Sequence, residues 1–349
     1  MNHRITGNAA TRRYVLRRLG QGVIVLWGAI TLSFLVLHFV PGDPVDIMLG
    51  GDGSSDSGST ASAEQKEELR AQLGLDRPII VQYLTFVWGA LRLDFGNSYS
   101  TMRPVSDLVL EGLPHTLQLG AVSILLTVAL GFVFALGSVL LPTAALRSLF
   151  QTITVVGVSF PSFWVGIILL QVFSFGLGWF PAFGNEGFQT LILPAFTLAL
   201  ITAGSLAQVL TRGLNDALAQ PYADTARAKG VAHVRLVVNH ALRNASLPVF
   251  TMVGMLVGSL LSGATIVETV FGRYGLGSIM VRALQTQDFP VIQAFIVLSG
   301  GLFVIVTLIV DLLYRYIDPR VVLPNSGSAK ASLFSRRSTQ QSASTGGVS

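Results

Sequence analysis

The chain has 349 residues, of which 51% are hydrophobic and only 12% charged, with a mean hydropathy of +0.63. Soluble domains carry about 25% charged residues, so the composition excludes an ordinary soluble protein and points to an all-α polytopic membrane protein. The formal charge is +5, but the basic residues flank apolar runs instead of gathering in one soluble domain, which argues against a nucleic-acid partner. Cysteine is absent, which removes disulfides, thiolate metal sites and cysteine nucleophiles.

Arg12, Arg13, Arg17 and Arg18 precede the first apolar run, Gly22 to Val40. The run is longer than a signal-peptide core, and no small-x-small cleavage site follows directly. It is expected to be a retained first transmembrane helix. Residues 41–115 then form the longest connection. A Gly/Ser stretch at 51–62 reads as a mobile linker. AEQKEELRAQLGLD (63–76) reads as a helix stopped by Gly74. Ile79 to Leu91 lies between Arg77 and Arg92; the interval is too short for a span and predicts an interfacial helix.

Uncharged runs of about 20 residues cross the hydrocarbon core as helices. Besides the first, they fall near Thr116–Leu141, Thr152–Phe175, Leu191–Leu210, Pro248–Val267 and Val291–Leu313, giving about six transmembrane helices. Gly157 and Pro161 in the third span, Pro194 in the fourth, and Gly254, Gly258 and Gly263 in the fifth permit close packing or bending, and are equally compatible with a movable central path.

A polar, basic island, Gln220 to Pro248, interrupts this apolar half. Pro221 suits the first turn of a helix and Gly230 the left-handed position past its end. A second helix is expected from Val231, with Val234, Val238 and Ala241 on one face and Arg235, Asn239 and Arg243 on another. Such a bent pair, held at the end of a bundle, makes a docking platform; the plainer alternative is a solvated loop touching anionic membrane lipid. The Ser-, Gly- and Gln-rich tail at 324–349 is expected to be disordered. The divisions are thus 1–20 as a cytoplasmic N-terminus, 21–323 as the transmembrane domain with an outer loop at 41–115 and a cytoplasmic loop at 212–247, and the tail.

With both termini cytoplasmic, 16 of the 23 basic residues fall inside, as the positive-inside rule requires. No lysine sits in a P-loop pattern. The ionisable residues near span ends are His38, Glu268 and Asp311. They read as interfacial or helix-capping groups, with a proton relay as the alternative. No His/acid pairing suggests a metal site, and no cofactor is expected.

At the basic island the chain resembles the permease subunits of ABC importers, whose cytoplasmic loop carries the EAA motif. The core here reads Asp224-Thr225-Ala226-Arg227-Ala228-Lys229-Gly230, with Leu247-Pro248 downstream; Asp and Thr replace the motif's first Glu and Ala. Further pieces narrow the resemblance to the dipeptide/oligopeptide/nickel permease branch. They include Pro41-Gly42-Asp43-Pro44, Leu93 to Ser98, Thr116-Leu117, Ser159 to Trp164, Phe180 to Gly184, Val267 to Phe271, Gly275-Leu276-Gly277, Asp288-Phe289-Pro290 and Asp318-Pro319-Arg320. Tyr274 stands where members often have proline, and 51–62 looks like an insertion.

The resemblance implies the type I ABC importer permease arrangement in a bacterial plasma (inner) membrane. It implies a second, distinct permease chain, two cytoplasmic ATPase subunits, and an extracytoplasmic substrate-binding protein delivering di- or oligopeptides. Nickel and glutathione are the alternatives within the branch. ATP hydrolysis would belong to the ATPases, so the chain is not itself an enzyme. Asp224, Thr225, Ala226, Arg227, Lys229 and Gly230 would couple to one ATPase: Gly230 by permitting the bend, Ala226 by close approach, Arg227 and Lys229 by charge. From other classes, an autonomous secondary transporter or a non-transporting membrane scaffold would need no ATPase.

Overall fold

A bilayer offers no water to backbone N–H and C=O groups, so each spanning segment must satisfy its own as a helix. The computed structural model describes residues 5–39, 45 and 63–317, and its regular structure there is helical apart from one β-bridge, Asn97 to Pro104. The Pro41–Pro44 piece, the Gly/Ser stretch at 51–62, Asp318-Pro319-Arg320 and the tail at 324–349 lie outside the described residues.

Helix α1 spans Ile5–Phe39, and α2 spans Ala63–Leu73 and stops where Gly74 turns left-handed (φ 69°). The short apolar α3, Ile79–Leu91, ends with the Arg92 guanidinium 4.4 Å above the Trp88 ring, an arrangement suited to an interface. Helix α4 is Val105–Leu140. Next come α5, Ala144–Ser159, and α6, Ser162–Leu169, the latter running on as a π-helical turn through Gly176. Helix α7 is Gln189–Leu218. The basic island carries α8, Pro221–Ala228; α9, His233–Leu236; a π-helical turn over Val237–Ala241; and α10, Leu242–Ala245. Helices α11, Leu247–Val270, α12, Leu276–Gln285, and α13, Phe289–Ile317, complete the order.

Among the described residues, four helices (α1, α4, α7 and α13) are long and apolar enough to cross a membrane, and two bent pairs, each taken as one span, raise the number to six. The third expected span needs correction. Thr152–Phe175 is not one helix: the axes of α5 and α6 differ by 110° at Phe160-Pro161. Pro161 lacks an N–H and disfavours helical backbone at Phe160, which stands extended (ψ 141°). The second span also starts earlier than expected, at Val105, with Pro114 inside it.

Helix α7 is the axis of the bundle: 67% of its most apolar window is buried, against 22–28% for α1, α4 and α13. Its chief partner is α4, whose buried stripe includes small and hydroxyl residues (Gly112, Thr116, Ser123, Thr127, Gly131, Ala135, Ser138) that, together with Leu108 and Leu119, recur at three- and four-residue spacing. Small side chains let the backbones approach, and hydroxyls bridge the helices. Thr127 and Thr202 hydroxyls are 2.6 Å apart, and those of Ser138 and Thr211 3.1 Å.

Candidate functional site

The basic island is built as two helical pieces around a glycine. Pro221 is the first residue of α8, where a missing N–H leaves no carbonyl unpaired. At the other end, Gly230 is left-handed (φ 78°), its N–H donates to Arg227 O (2.9 Å), and the Val231 N–H donates to Ala226 O (3.1 Å). These paired bonds form a Schellman cap. A Cβ on Gly230 would meet nothing within 4 Å, so the demand for glycine there is purely conformational.

Of α8, Ala223 is buried against the bundle, whereas Asp224, Thr225, Arg227, Lys229 and Gly230 are exposed and Ala226 is half-buried. Arg227 is engaged within the chain: it donates to Asp224 (2.7 Å) and to the Leu218 carbonyl at the end of α7 (3.2 Å). The ion pair is solvent-exposed and contributes little stability, but it sets the angle of α8 against α7.

The second piece differs from expectation. Val231 and Ala232 precede the helix, which starts at His233. Leu236, Val237, Ala241 and Ala245 face inward. Gly213 of α7 allows this approach, since a Cβ there would stand 3.2 Å from the Ala245 Cα. Val234 and Val238, expected to share a face with Ala241, are instead 58% and 41% exposed. The π-helical turn at 237–241 adds a residue and shifts the register. With Lys229, Gly230, Arg235 and Asn239 they line an open groove of mixed apolar and basic side chains.

A second constellation occupies the opposite end of the bundle. The Glu268 carboxylate is 1% exposed and accepts from the Thr116 hydroxyl (2.6 Å) and the Gly277 and Ser278 N–H groups (2.8 and 3.2 Å). It therefore caps the N-terminus of α12. The capping expectation for Glu268 holds, although the side chain is sealed inside and does not reach the interface. His38 and Asp311 lie outside the residues whose side chains are described. Arg273, 2% exposed, donates to the Thr190 carbonyl and hydroxyl (3.1 and 3.2 Å) and to Gly184 O (3.3 Å). Burial pulls its guanidinium below the ordinary value, and the Glu268 charge opposes this. Asn185 clamps Tyr274 by both backbone groups, at 2.7 Å each.

Asp288, 1% exposed, accepts from the Ser98 and Ser100 hydroxyls (2.5 and 2.8 Å) and the Tyr99 and Ser100 N–H groups (3.0 and 3.2 Å). Leu93, Met102 and Gln287, all left-handed without being glycine, flank this knot, so the loop holds strain that its hydrogen bonds must offset. Burial and the Asp288 charge together push the Tyr99 phenol up to about 12. Arg103 and Glu111 form an exposed ion pair, with the Tyr274 hydroxyl 3.3 Å from Glu111.

Sequence reasoning missed the roles of Arg273 and Asp288. The available signal was the string of short motifs: Leu93–Ser98 meets Asp288–Pro290 through Asp288, and Thr116, Val267–Phe271 and Gly275–Gly277 meet through Glu268.

A family model described as binding-protein-dependent transport system inner membrane component matches residues 122–323, and its N-terminal counterpart matches 11–120. A Brucella abortus (strain 2308) protein provisionally named a peptide transport system permease protein is 35% identical over 315 residues, covering 88% of this chain and 98% of its own. The glutathione transport system permease protein GsiC of Escherichia coli (strain K12) is 38% identical over 308 residues with the same coverage. A chain of the MetNI methionine ABC transporter shares the fold at 18% identity (TM-score 0.52), covering 60% of this chain and 96% of its own. The models and relatives together span most of the sequence, and the chain belongs to the binding-protein-dependent transport system inner membrane components, the multi-pass permease subunits of ABC importers.

Proposed function

We propose that the chain forms half of a translocation path for di- and oligopeptides, with a second permease completing it. Two cytoplasmic ATPases would supply energy and an extracytoplasmic binding protein would deliver substrate. The observation that carries this reading is α8, a short helix with a Schellman cap, exposed along the motif residues yet tied to the end of α7 by Arg227. A helix so placed transmits a push from a cytoplasmic partner into the most buried helix of the bundle. Asp224, Thr225, Ala226, Lys229 and Gly230 present the contact surface, and the groove lined by Val234 and Val238 receives the partner's side chains. In this reading Arg227 acts mainly by orienting α8. Both termini face the cytoplasm, supported by the inward bias of basic residues.

Glutathione is the second reading, because relatives 37–38% identical over 308 residues carry that name. Both substrates present amide bonds and a terminal carboxylate.

The test is purification of the complex from native membrane, identification of its subunits, and ATP-dependent uptake of dialanine and S-methylglutathione into vesicles. A second permease, two ATPases and saturable dialanine uptake are expected. Uptake of S-methylglutathione alone would select the second reading. A chain purified without ATPases would overturn both and favour a secondary transporter or a scaffold.

A further inference from the structure

The break between α5 and α6 has no role in the coupling just described. Its depth follows from its neighbours on α7. A Cβ on Gly157, just before the break, would lie 3.4 Å from the Leu200 carbonyl, and one on Gly166, just after it, 3.5 Å from the Thr197 side chain. Thr197 and Leu200 lie about 12–17 Å along α7 from Gln189 at 1.5 Å per residue. Helix α7 is about 45 Å long and the hydrocarbon core about 30 Å thick, so the break falls inside the core.

Irregular backbone at that depth is tolerated only where protein covers it or where it lines water. This chain does not cover it: Ser159, Phe160, Pro161, Phe163 and Trp164 are exposed. Trp164 and Val165 N–H groups fold back on Pro161 O (3.1 and 3.2 Å), while no side chain caps α6. An apolar transmembrane helix packed there could not satisfy the remaining backbone groups, because its own N–H and C=O groups are already paired and it offers no polar side chain. Water can.

Across the break, the Phe160 and Trp164 rings stack with centroids 4.5 Å apart and planes within 12°, although 40% and 44% of these residues are exposed. The pair forms a rigid aromatic plate beside a wetted bend. Aromatic faces contact amide planes and varied side chains without selecting one of them.

We infer that Phe160 and Trp164 line the translocation path near the middle of the membrane and contact the passing peptide. This rests on the peptide-importer reading for its ligand, but its claim of a wetted bend is independent of substrate. The role is one of binding: the plate sets how peptides are held in transit, and α8 sets when the path opens.

The chain contains no cysteine, so single replacements report cleanly. Phe160→Cys, Trp164→Cys and, as a second position at the bend, Phe163→Cys are compared with Leu125→Cys on α4, which is 70% exposed. The intact complex in native membranes is treated with a membrane-impermeant sulfonated maleimide, and modification is read on this chain. Positions 160 and 164 are expected to react about tenfold or more faster than 125, because only wetted thiols ionise and meet the reagent. Dialanine or S-methylglutathione, with binding protein and ATP, should slow modification at 160 and 164 by several-fold. Reaction at all three bend positions no faster than at 125 would overturn the inference, since the bend would then face lipid or a partner helix. Fast reaction that is not slowed by a compound the unmodified complex takes up would overturn it too, leaving a water-filled crevice off the path. Failure of dialanine uptake by the unmodified complex would count against the peptide reading alone, because accessibility at 160 is measured without transport.

Discussion

Gly230 shows how much one backbone angle can carry. Its φ of 78° lies where a Cβ clashes with the following carbonyl. Gly230→Ala is therefore expected to cost about 1–2 kcal/mol locally and to lower peptide-stimulated ATP hydrolysis, whereas Gly230→Asn should retain more activity because Asn tolerates that region. Equal activity in the two variants would show that the left-handed bend is not what matters. Tyr99 makes a residue-scale prediction about pH. Its phenol is held up to about 12 by burial and the Asp288 charge, so between pH 10 and 12 the unfolded chain has released a proton that the folded chain still holds. Stability therefore falls as pH rises through that window, by at most about 3 kcal/mol. The unfolding midpoint of Tyr99→Phe should fall less steeply there than that of the unmodified protein.

At the scale of elements, the α4–α7 contact depends on a missing side chain. A Cβ on Gly131 would come within 2.5 Å of Leu206 Cδ2, and Leu206 is fully buried. Gly131→Ala should destabilise by about 1–3 kcal/mol through overpacking, lowering the melting temperature in detergent. Leu206→Ala alone should also destabilise, by leaving a cavity. The double variant should be more stable than the sum of the two changes implies, since each relieves the other. Strict additivity would place the helices further apart than described. Bent elements behave differently from straight ones: Pro161 divides α5 from α6, whereas Pro114 and Pro194 lie inside continuous helices. A proline signals a possible break, and whether the chain turns there depends on what packs beside it.

For the whole molecule, the Glu268 and Asp288 knots and the basic island sit at opposite ends of the same helices, α4, α7 and α11. The sequence-based orientation, which assigns sixteen basic residues to the island's side and seven to the other, predicts that alkaline phosphatase fused after Arg92 is active and that fused after Arg243 inactive, the pattern of an inward-facing island. Reversed activities would invert the orientation and detach the island from any cytoplasmic ATPase.

Local physics was legible from residues alone. Apolar runs longer than 18 residues marked the spans because lipid demands them. Pro221 and Gly230 bounded α8 because each has one favoured backbone role. Long-range convergence was not legible. Glu268 meets Thr116 across 152 positions and Asp288 meets Ser98 across 190, and nothing in local pattern distinguishes such a buried carboxylate from an interfacial one. The outward turn of Val238 was hidden as well, because a π-helical turn changes the period on which face assignments rest. The sequence by itself determined which segments are apolar enough to cross a membrane, where α8 begins and ends, and which family the chain resembles, since those follow from hydropathy, φ preference and motif order. Only the tertiary structure decided that the third span breaks, which face the second island helix buries, and which distant polar groups hydrogen-bond to one another, since each depends on neighbours that the chain brings together only when it packs.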